Sequence, residues 1–288
     1  MRRQSGYFLC ATVLALASLV FAVPSIRAET EVDLELILAV DISGSVDDDE
    51  ARLLRQGHVA ALRDPKVLRA IQNGFLGKIA VTYIEWAGFG HIKTIVGWRI
   101  IKDKASAEAF AAMLARAPYE TSTRTAISDM IMASISKFRG NGIAGSRRVL
   151  DLAGDGANNF GMPVTKARDY AIDQGIVING IPILSTHYDG FRFTTAQYLD
   201  TYFLKCVIGG AGAFVVVASG FDDFARAIKR KMILEIAGRR PVAAAMLPRL
   251  RANQTVHRVQ AKEPIRRIDP HCLIGEERWR TRDWAEDW

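Results

Sequence analysis

The chain has 288 residues, with 38 Lys and Arg against 31 Asp and Glu and an isoelectric point near 9.4. That length suits one domain of roughly 200 residues with extensions, long enough to bury a single core. The excess charge is confined to the ends. Residues 1–28 hold three Arg and no acid, residues 29–238 hold 24 basic and 24 acidic side chains, and residues 239–288 hold 11 basic and 7 acidic. This excludes a nucleic-acid-binding domain, which concentrates basic residues on its folded face.

Arg2 and Arg3 precede an apolar run from Phe8 to Val23, with small residues at Ala22 and Ala28 as cleavage points. The pattern predicts a signal peptide over 1–28 and a periplasmic or secreted product. An uncleaved anchor is the alternative, but the run is shorter than the about 20 apolar residues that span a bilayer. Cys10 follows bulky Leu9, which does not suit a lipoprotein signal, and no later segment is long and apolar enough to cross a membrane.

Leu34 to Val40 is apolar except for Glu35, which predicts a strand buried on both faces. Glu50 to Leu62 has the spacing of an amphipathic helix, Asp64-Pro65 breaks it, and a short helix through Ile71 ends near Asn73-Gly74. Ile79 to Trp86 is the second strand, and His91 to Ile100 alternates enough to lie at an edge. Ser106 to Arg116 is a helix with Ser as its cap, and Thr125 to Phe138 is another, with Ile127, Ile131 and Ile135 on one face. The glycine-rich loop from Gly140 to Gly145 leads to a strand from Arg148 to Ala153. A helix over Pro163 to Gln174 follows, then a strand over Ile176 to Ile183, a helix over Thr194 to Lys205, a strand over Ala213 to Ala218 and a helix over Phe221 to Ile236. Alternation of this kind predicts a doubly wound, mostly parallel α/β sheet with helices on both faces and one antiparallel edge strand. From Arg239 onward scattered Arg and Pro with weak periodicity predict a loosely ordered tail, in which Trp279, Trp284 and Trp288 offer a docking strip.

The chemistry gathers where the first strand ends, at Asp41-Ile42-Ser43-Gly44-Ser45. In extended backbone Asp41, Ser43 and Ser45 project to one side, and Gly44 lets the turn tighten. An oxygen-rich cup at the carboxyl end of a strand is where open α/β sheets bind ligands, and hard oxygen donors suit a magnesium-like cation. This motif resembles the metal-ion-dependent adhesion site of von Willebrand factor type A domains. Thr121-Ser122-Thr123-Arg124-Thr125-Ala126-Ile127 is similar to that family's second element, a Thr-bearing loop at a helix start. The segment from Arg148 to Gly156, a strand ending in Asp155-Gly156, is similar to the third. Trp86-Ala87-Gly88, Gly154 to Asn159, Ile178 to Ile183 and Gly209 to Val215 resemble a secreted bacterial subfamily of unknown function, over residues 33–238.

The resemblance implies that Asp41, Ser43, Ser45, Thr123 and Asp155 converge on one Mg2+ (or Mn2+). It further implies a protein partner that completes the shell with an acidic side chain, and hence an adhesion-type binding module. Each residue also has a simpler use: Ser43 and Ser45 as caps of the following helix, Thr123 or Thr125 as caps of the next, and Asp155-Gly156 as a tight turn. Asp151, inside its strand, is expected in the core or behind the ligands. The five histidines lack metal-ligand spacing, which argues against zinc. The alternative function is a magnesium-dependent hydrolase with Asp41 as nucleophile. Ser43 stands where such enzymes commonly carry a second carboxylate, and no Gly-x-Ser-x-Gly elbow is present, so no enzyme activity is expected. After signal removal Cys206 and Cys272 remain; in an oxidising compartment they either pair or stay as two free thiols.

Overall fold

A computed structural model describes residues 29–44, 46–184, 195–238, 255–257 and 268–286. The expected signal peptide and Ser45 lie outside the described residues. In chain order the regular elements are β1 (Thr30–Val32), β2 (Glu35–Asp41), α1 (Asp48–Arg63), α2 (Pro65–Gln72), β3 (Ile79–Trp86), β4 (Ile92–Ile101), α3 (Lys104–Arg116), α4 (Ile127–Phe138) and β5 (Ile143–Gly145). They continue with β6 (Arg148–Gly154), α5 (Val164–Asp173), β7 (Ile176–Pro182), α6 (Leu199–Tyr202), β8 (Phe214–Val216), α7 (Phe224–Ile236), β9 (Thr255–His257) and α8 (Ile274–Glu286).

Seven strands form the main sheet in the order β4-β3-β2-β6-β7-β8-β9, and β1 pairs with β5 in a separate parallel ribbon. All pairs in the main sheet are parallel except β3 with β4, the antiparallel edge expected from the alternation of residues 91–100. β2 is buried along its whole length because helices cover both faces. Leu36, Leu38 and Val40 face a core shared with α1, α2, α3 and α7, whereas Ile37 and Ala39 face one shared with α4 and α5. From the central pair β2 and β6, the chain winds one way through β3 and the other way through β7 and β8. That reversal leaves a crevice beyond the carboxyl ends of β2 and β6.

Local chemistry moves several boundaries. Asp103, not Ser106, caps α3: its carboxylate accepts from Ser106 N at 2.8 Å, and its own N–H donates to Ser106 Oγ at 3.0 Å, closing a capping box. The helix expected over 194–205 is broken into a 3₁₀ turn (Thr195–Gln197), α6 and a π-helical turn (Phe203–Val207). There Phe203 presses on β7 at Gly180, where a Cβ would meet its ring at 2.5 Å. Cys206 is disulfide-bonded to Cys272, with Cα atoms 5.4 Å apart, which decides between the two readings of these cysteines. The tail thereby returns to the domain, and within it α8 forms and buries Ile274 in the second core.

Candidate metal centre

β2 ends at Asp41, which is fully buried, and β6 ends at Gly154, so Asp155 follows at the same edge of the sheet. Asp41 Oδ1 accepts the Ser43 N–H at 2.8 Å, which turns the chain immediately after the strand. Asp41 Oδ2 is buried and has no hydrogen-bond partner. It lies against the β6 backbone at Gly154, where a Cβ would stand 3.1 Å from it. Burial, reinforced by the Asp155 carboxylate nearby, raises the Asp41 carboxyl well above the usual carboxylate range. Two carboxylates that repel in a dry crevice, one with an orphaned oxygen, are an arrangement that a hard cation would relieve.

The hydroxyl donors are arranged by loop-to-loop bonds. Ser43 Oγ lies 3.2 Å from Thr125 Oγ1, with both residues buried. The Ser122 N–H donates to the Ile42 carbonyl at 3.1 Å, and the Gly88 N–H is shared between the Thr123 and Arg124 carbonyls. Thr125 is fixed to the third loop as well, its N–H donating to Asn159 Oδ1 and its carbonyl accepting from Asn159 N, both at 2.9 Å. Arg124 and Phe89 are the only non-glycine residues with positive φ among those described, at 67° and 52°, and both stand in these rim loops.

The capping alternatives do not account for these residues. The cap of α1 is Asp47, whose carboxylate accepts from Glu50 N while Glu50 bonds back to Asp47 N. The cap position of α4 is Ala126, which makes no side-chain bond. Ser43 and Thr125 therefore bond across loops instead of capping helices. Of the residues expected from the sequence, Asp41, Ser43 and Asp155 come together in the crevice. Thr123 has an exposed side chain two residues from Thr125 on the same loop, and Ser45 lies outside the described residues. The sequence offers Thr125 only as a cap. The signal for its other role is its place in a Thr-x-Thr pair, directly before the buried Ala126-Ile127 that starts α4.

Asp151 is buried in mid-strand as expected, with Lys231 Nζ of α7 at 2.6 Å from its Oδ2 and Glu235 on the other side of that ammonium at 3.1 Å. No group of three or more His, Cys, Asp or Glu side chains suited to a metal occurs among the described residues. The donors described here are the Asp41 and Asp155 carboxylates and the Ser43 and Thr125 hydroxyls. Such a set fits a hard divalent cation that keeps some of its waters.

The fold is that of a von Willebrand factor A-like domain. Residues 31–240 match the family described as "Protein of unknown function (DUF1194)", and the chain belongs to that family. Among solved structures it is similar to the pilus adhesin SpaC from Lactobacillus rhamnosus GG, at 14% identity and a TM-score of 0.52 over 73% of this chain and 31% of that one. It is also similar to proximal thread matrix protein 1 from the mussel byssus, in a form described "with zinc occupied MIDAS motif", at 15% identity and a TM-score of 0.46 over 73% of this chain and 46% of that one. BatB from Bacteroides thetaiotaomicron matches at 19% identity and a TM-score of 0.44 over 71% of this chain and 99% of that one. The chain spans less than half the length of the first two, and likeness at these identities speaks to fold alone. No curated protein matches the sequence. No helix among the described residues is long and apolar enough to cross a membrane.

Proposed function

We propose that this chain is a metal-dependent protein-binding module of the adhesion type, exported to the periplasm or beyond. Its site is the crevice beyond β2 and β6, taking Mg2+ or Mn2+. One observation carries the reading: Asp41 Oδ2, buried and without a hydrogen-bond partner, lies against Gly154 at the topological switch point of the sheet, with the Asp155 carboxylate nearby.

Asp41, Ser43 and Asp155 would hold the ion, with Ser45 and a Thr hydroxyl from the 121–125 loop. When bound, the ion supplies an electrophilic position for a carboxylate oxygen from another protein. The chain's own residues fix the geometry: the Ser43 amide orients Asp41, and the Ser43–Thr125 hydroxyl pair ties two loops together. The partner class that follows is a protein with an accessible Asp or Glu. The fold shared with a pilus adhesin is in keeping with that class.

The test is calorimetric titration of the exported protein with Mg2+ and Mn2+, beside Asp41→Ala, followed by capture from envelope extract with ion or with chelator. Saturable binding that Asp41→Ala abolishes, and capture that chelator abolishes, are the expected results. Identical isotherms for both proteins would refute the metal site. Turnover of a phosphoester that collapses with the same substitution would replace this reading with the hydrolase alternative.

A further inference from the structure

The tail does not stop at the disulfide. Beyond Cys272, α8 lies directly on two of the three loops that build the candidate metal site. Gly275 sits on the loop that follows Asp155 so closely that a Cβ there would fall 2.0 Å from the Asn158 carbonyl oxygen. Beside it, Asn158 Nδ2 donates to Glu276 Oε1 at 2.8 Å. Asn158 is itself fully buried: its N–H donates to the Tyr202 hydroxyl, and its Oδ1 accepts from Ser128 N at the start of α4. Pressure from α8 on Asn158 is therefore passed to both the Asp155 loop and the α4 start.

The second contact reaches the threonine loop. The Arg124 guanidinium stacks 3.7 Å from the centre of the Trp279 ring. Arg124 is the left-handed residue between Thr123 and Thr125, and its Cβ occupies the space that a side chain on Gly88 would need, 2.3 Å away. A non-glycine residue in that conformation is strained by roughly 1 kcal/mol or more and persists only where its surroundings hold it. Gly88 holds Arg124 from one side and Trp279 from the other. Two anchors fix α8 in this place: Cys272 is bonded to Cys206, and Arg278 donates to the Tyr198 hydroxyl at 2.9 Å with its guanidinium over the same ring.

We infer that Trp279 and Glu276 of α8 are positioning residues for the metal site: by clamping Arg124 and Asn158 they hold the threonine loop and the Asp155 loop at the spacing that ion binding requires. The inference rests on the metal-site reading above. The physical reason is preorganisation. Loops that must be ordered as the ion arrives lose conformational entropy at that moment, and a pre-clamped site does not.

The experiment compares the full exported chain with Trp279→Ala, Trp279→Phe and Glu276→Ala. For each, Mn2+ affinity is measured by calorimetry, the melting temperature is measured in chelator, and hydrogen exchange is followed over residues 121–127 and 155–160. Loss of one stacked cation–π contact is expected to weaken Mn2+ binding roughly five- to tenfold in Trp279→Ala, with faster exchange in both segments. The melting temperature should stay close to wild type, and Trp279→Phe should recover most of the affinity, since its ring still offers a face. Glu276 is only half-buried, so Glu276→Ala gives an independent reading should Trp279→Ala fold poorly. Wild-type affinity in both Ala variants would overturn the clamp while leaving the metal site in place. Absence of Mn2+ binding by the wild type would overturn both.

Discussion

Ser43 Oγ and Thr125 Oγ1 lie 3.2 Å apart, a hydroxyl pair that ties the end of β2 to the start of α4 across 82 residues of sequence. Both residues are buried, so the pair contributes to the fold as well as to the candidate site. Thr125→Val should therefore cost about 1 kcal/mol of stability and also weaken Mn2+ binding. Thr123→Ala, on an exposed side chain of the same loop, should leave stability within about 0.5 kcal/mol of wild type and lower only the ion affinity. Paired urea titrations in chelator and calorimetric titrations separate the two. A loss of stability in Thr123→Ala with none in Thr125→Val would mean that the loop is arranged otherwise.

Asp41 gives the site an unusual stability signature. Burial and Asp155 raise its folded-state pKa, so the folded protein takes up this proton more readily than the unfolded chain. Its contribution is thus present at low pH and declines as pH rises through the ordinary carboxylate range toward the raised folded value. Without metal at pH 7 the carboxylate is a burden, and Asp41→Asn should melt higher than wild type, by about 2–4 °C for each kcal/mol relieved. Saturating Mg2+ should raise the wild-type melting temperature and leave that of Asp41→Asn unchanged, because only the native site binds the ion. Differential scanning calorimetry with and without chelator reads both effects. A variant less stable than wild type in chelator would show that Asp41 is a structural carboxylate.

Gly88→Ala should disturb stability and site together. The new Cβ would stand 2.3 Å from the Arg124 Cβ and 2.9 Å from the Thr123 carbonyl oxygen, so the threonine loop must move. Overpacking of this kind costs roughly 1–3 kcal/mol. Gly90→Ala is the control, with nothing within 4 Å of its added Cβ but φ at +71°. It should carry backbone strain without loss of ion affinity. Equal Mn2+ affinities for Gly88→Ala and wild type would argue against a coupling of this turn to the site.

Lys231 is buried between Asp151 and Glu235, at 2.6 Å and 3.1 Å. Lys231→Met would leave two buried acids without their cation, a loss of roughly 3–5 kcal/mol. Adding Asp151→Asn should restore part of it, since one of the stranded charges is then gone. The measurement is chemical denaturation of both variants. Additive losses in the double variant would mean that Asp151 and Lys231 do not act as a pair.

His58 should make the protein acid-sensitive. It is fully buried against Tyr83 and Phe224, and its Nδ1 lies 2.9 Å from the Leu54 carbonyl, which only accepts, so Nδ1 carries the proton. Burial, together with the Lys231 charge, lowers its pKa to about 4. The unfolded chain then binds a proton first, and stability falls as pH drops from the unfolded value near 6.5 toward 4, by up to roughly 3 kcal/mol. Asp151, raised to about 7 chiefly by burial, contributes the opposite slope over the same window. The stability difference between wild type and His58→Phe isolates the histidine, and it should shift in favour of the variant between pH 7 and pH 5. A difference independent of pH would rule out a neutral buried His58.

By itself the sequence determined the layered α/β fold, because apolar runs such as 34–40 and 79–86 encode burial element by element and turn residues mark where each element stops. It also located the ends of β2 and β6, since Asp41-Ile42-Ser43-Gly44 and Gly154-Asp155-Gly156 set polar and turn residues where each apolar run stops. What only the tertiary structure decided is which distant residues meet. Placing β2 beside β6 brought Asp41 to Gly154 and Asp155, and the loop bonds set Thr125 against Ser43 while leaving Thr123 exposed. The structure also decided between the two readings of Cys206 and Cys272, in favour of pairing, and the seat of α8 on Asn158 and Arg124 was illegible in the sequence. The residues from Arg239 onward carry weak periodicity, and α8 is held by the disulfide just before it, two stacked guanidinium–ring pairs, two side-chain hydrogen bonds and a glycine contact instead of a broad apolar face. Periodicity reports how much of an element is buried; it carries no information on the partner that buries it.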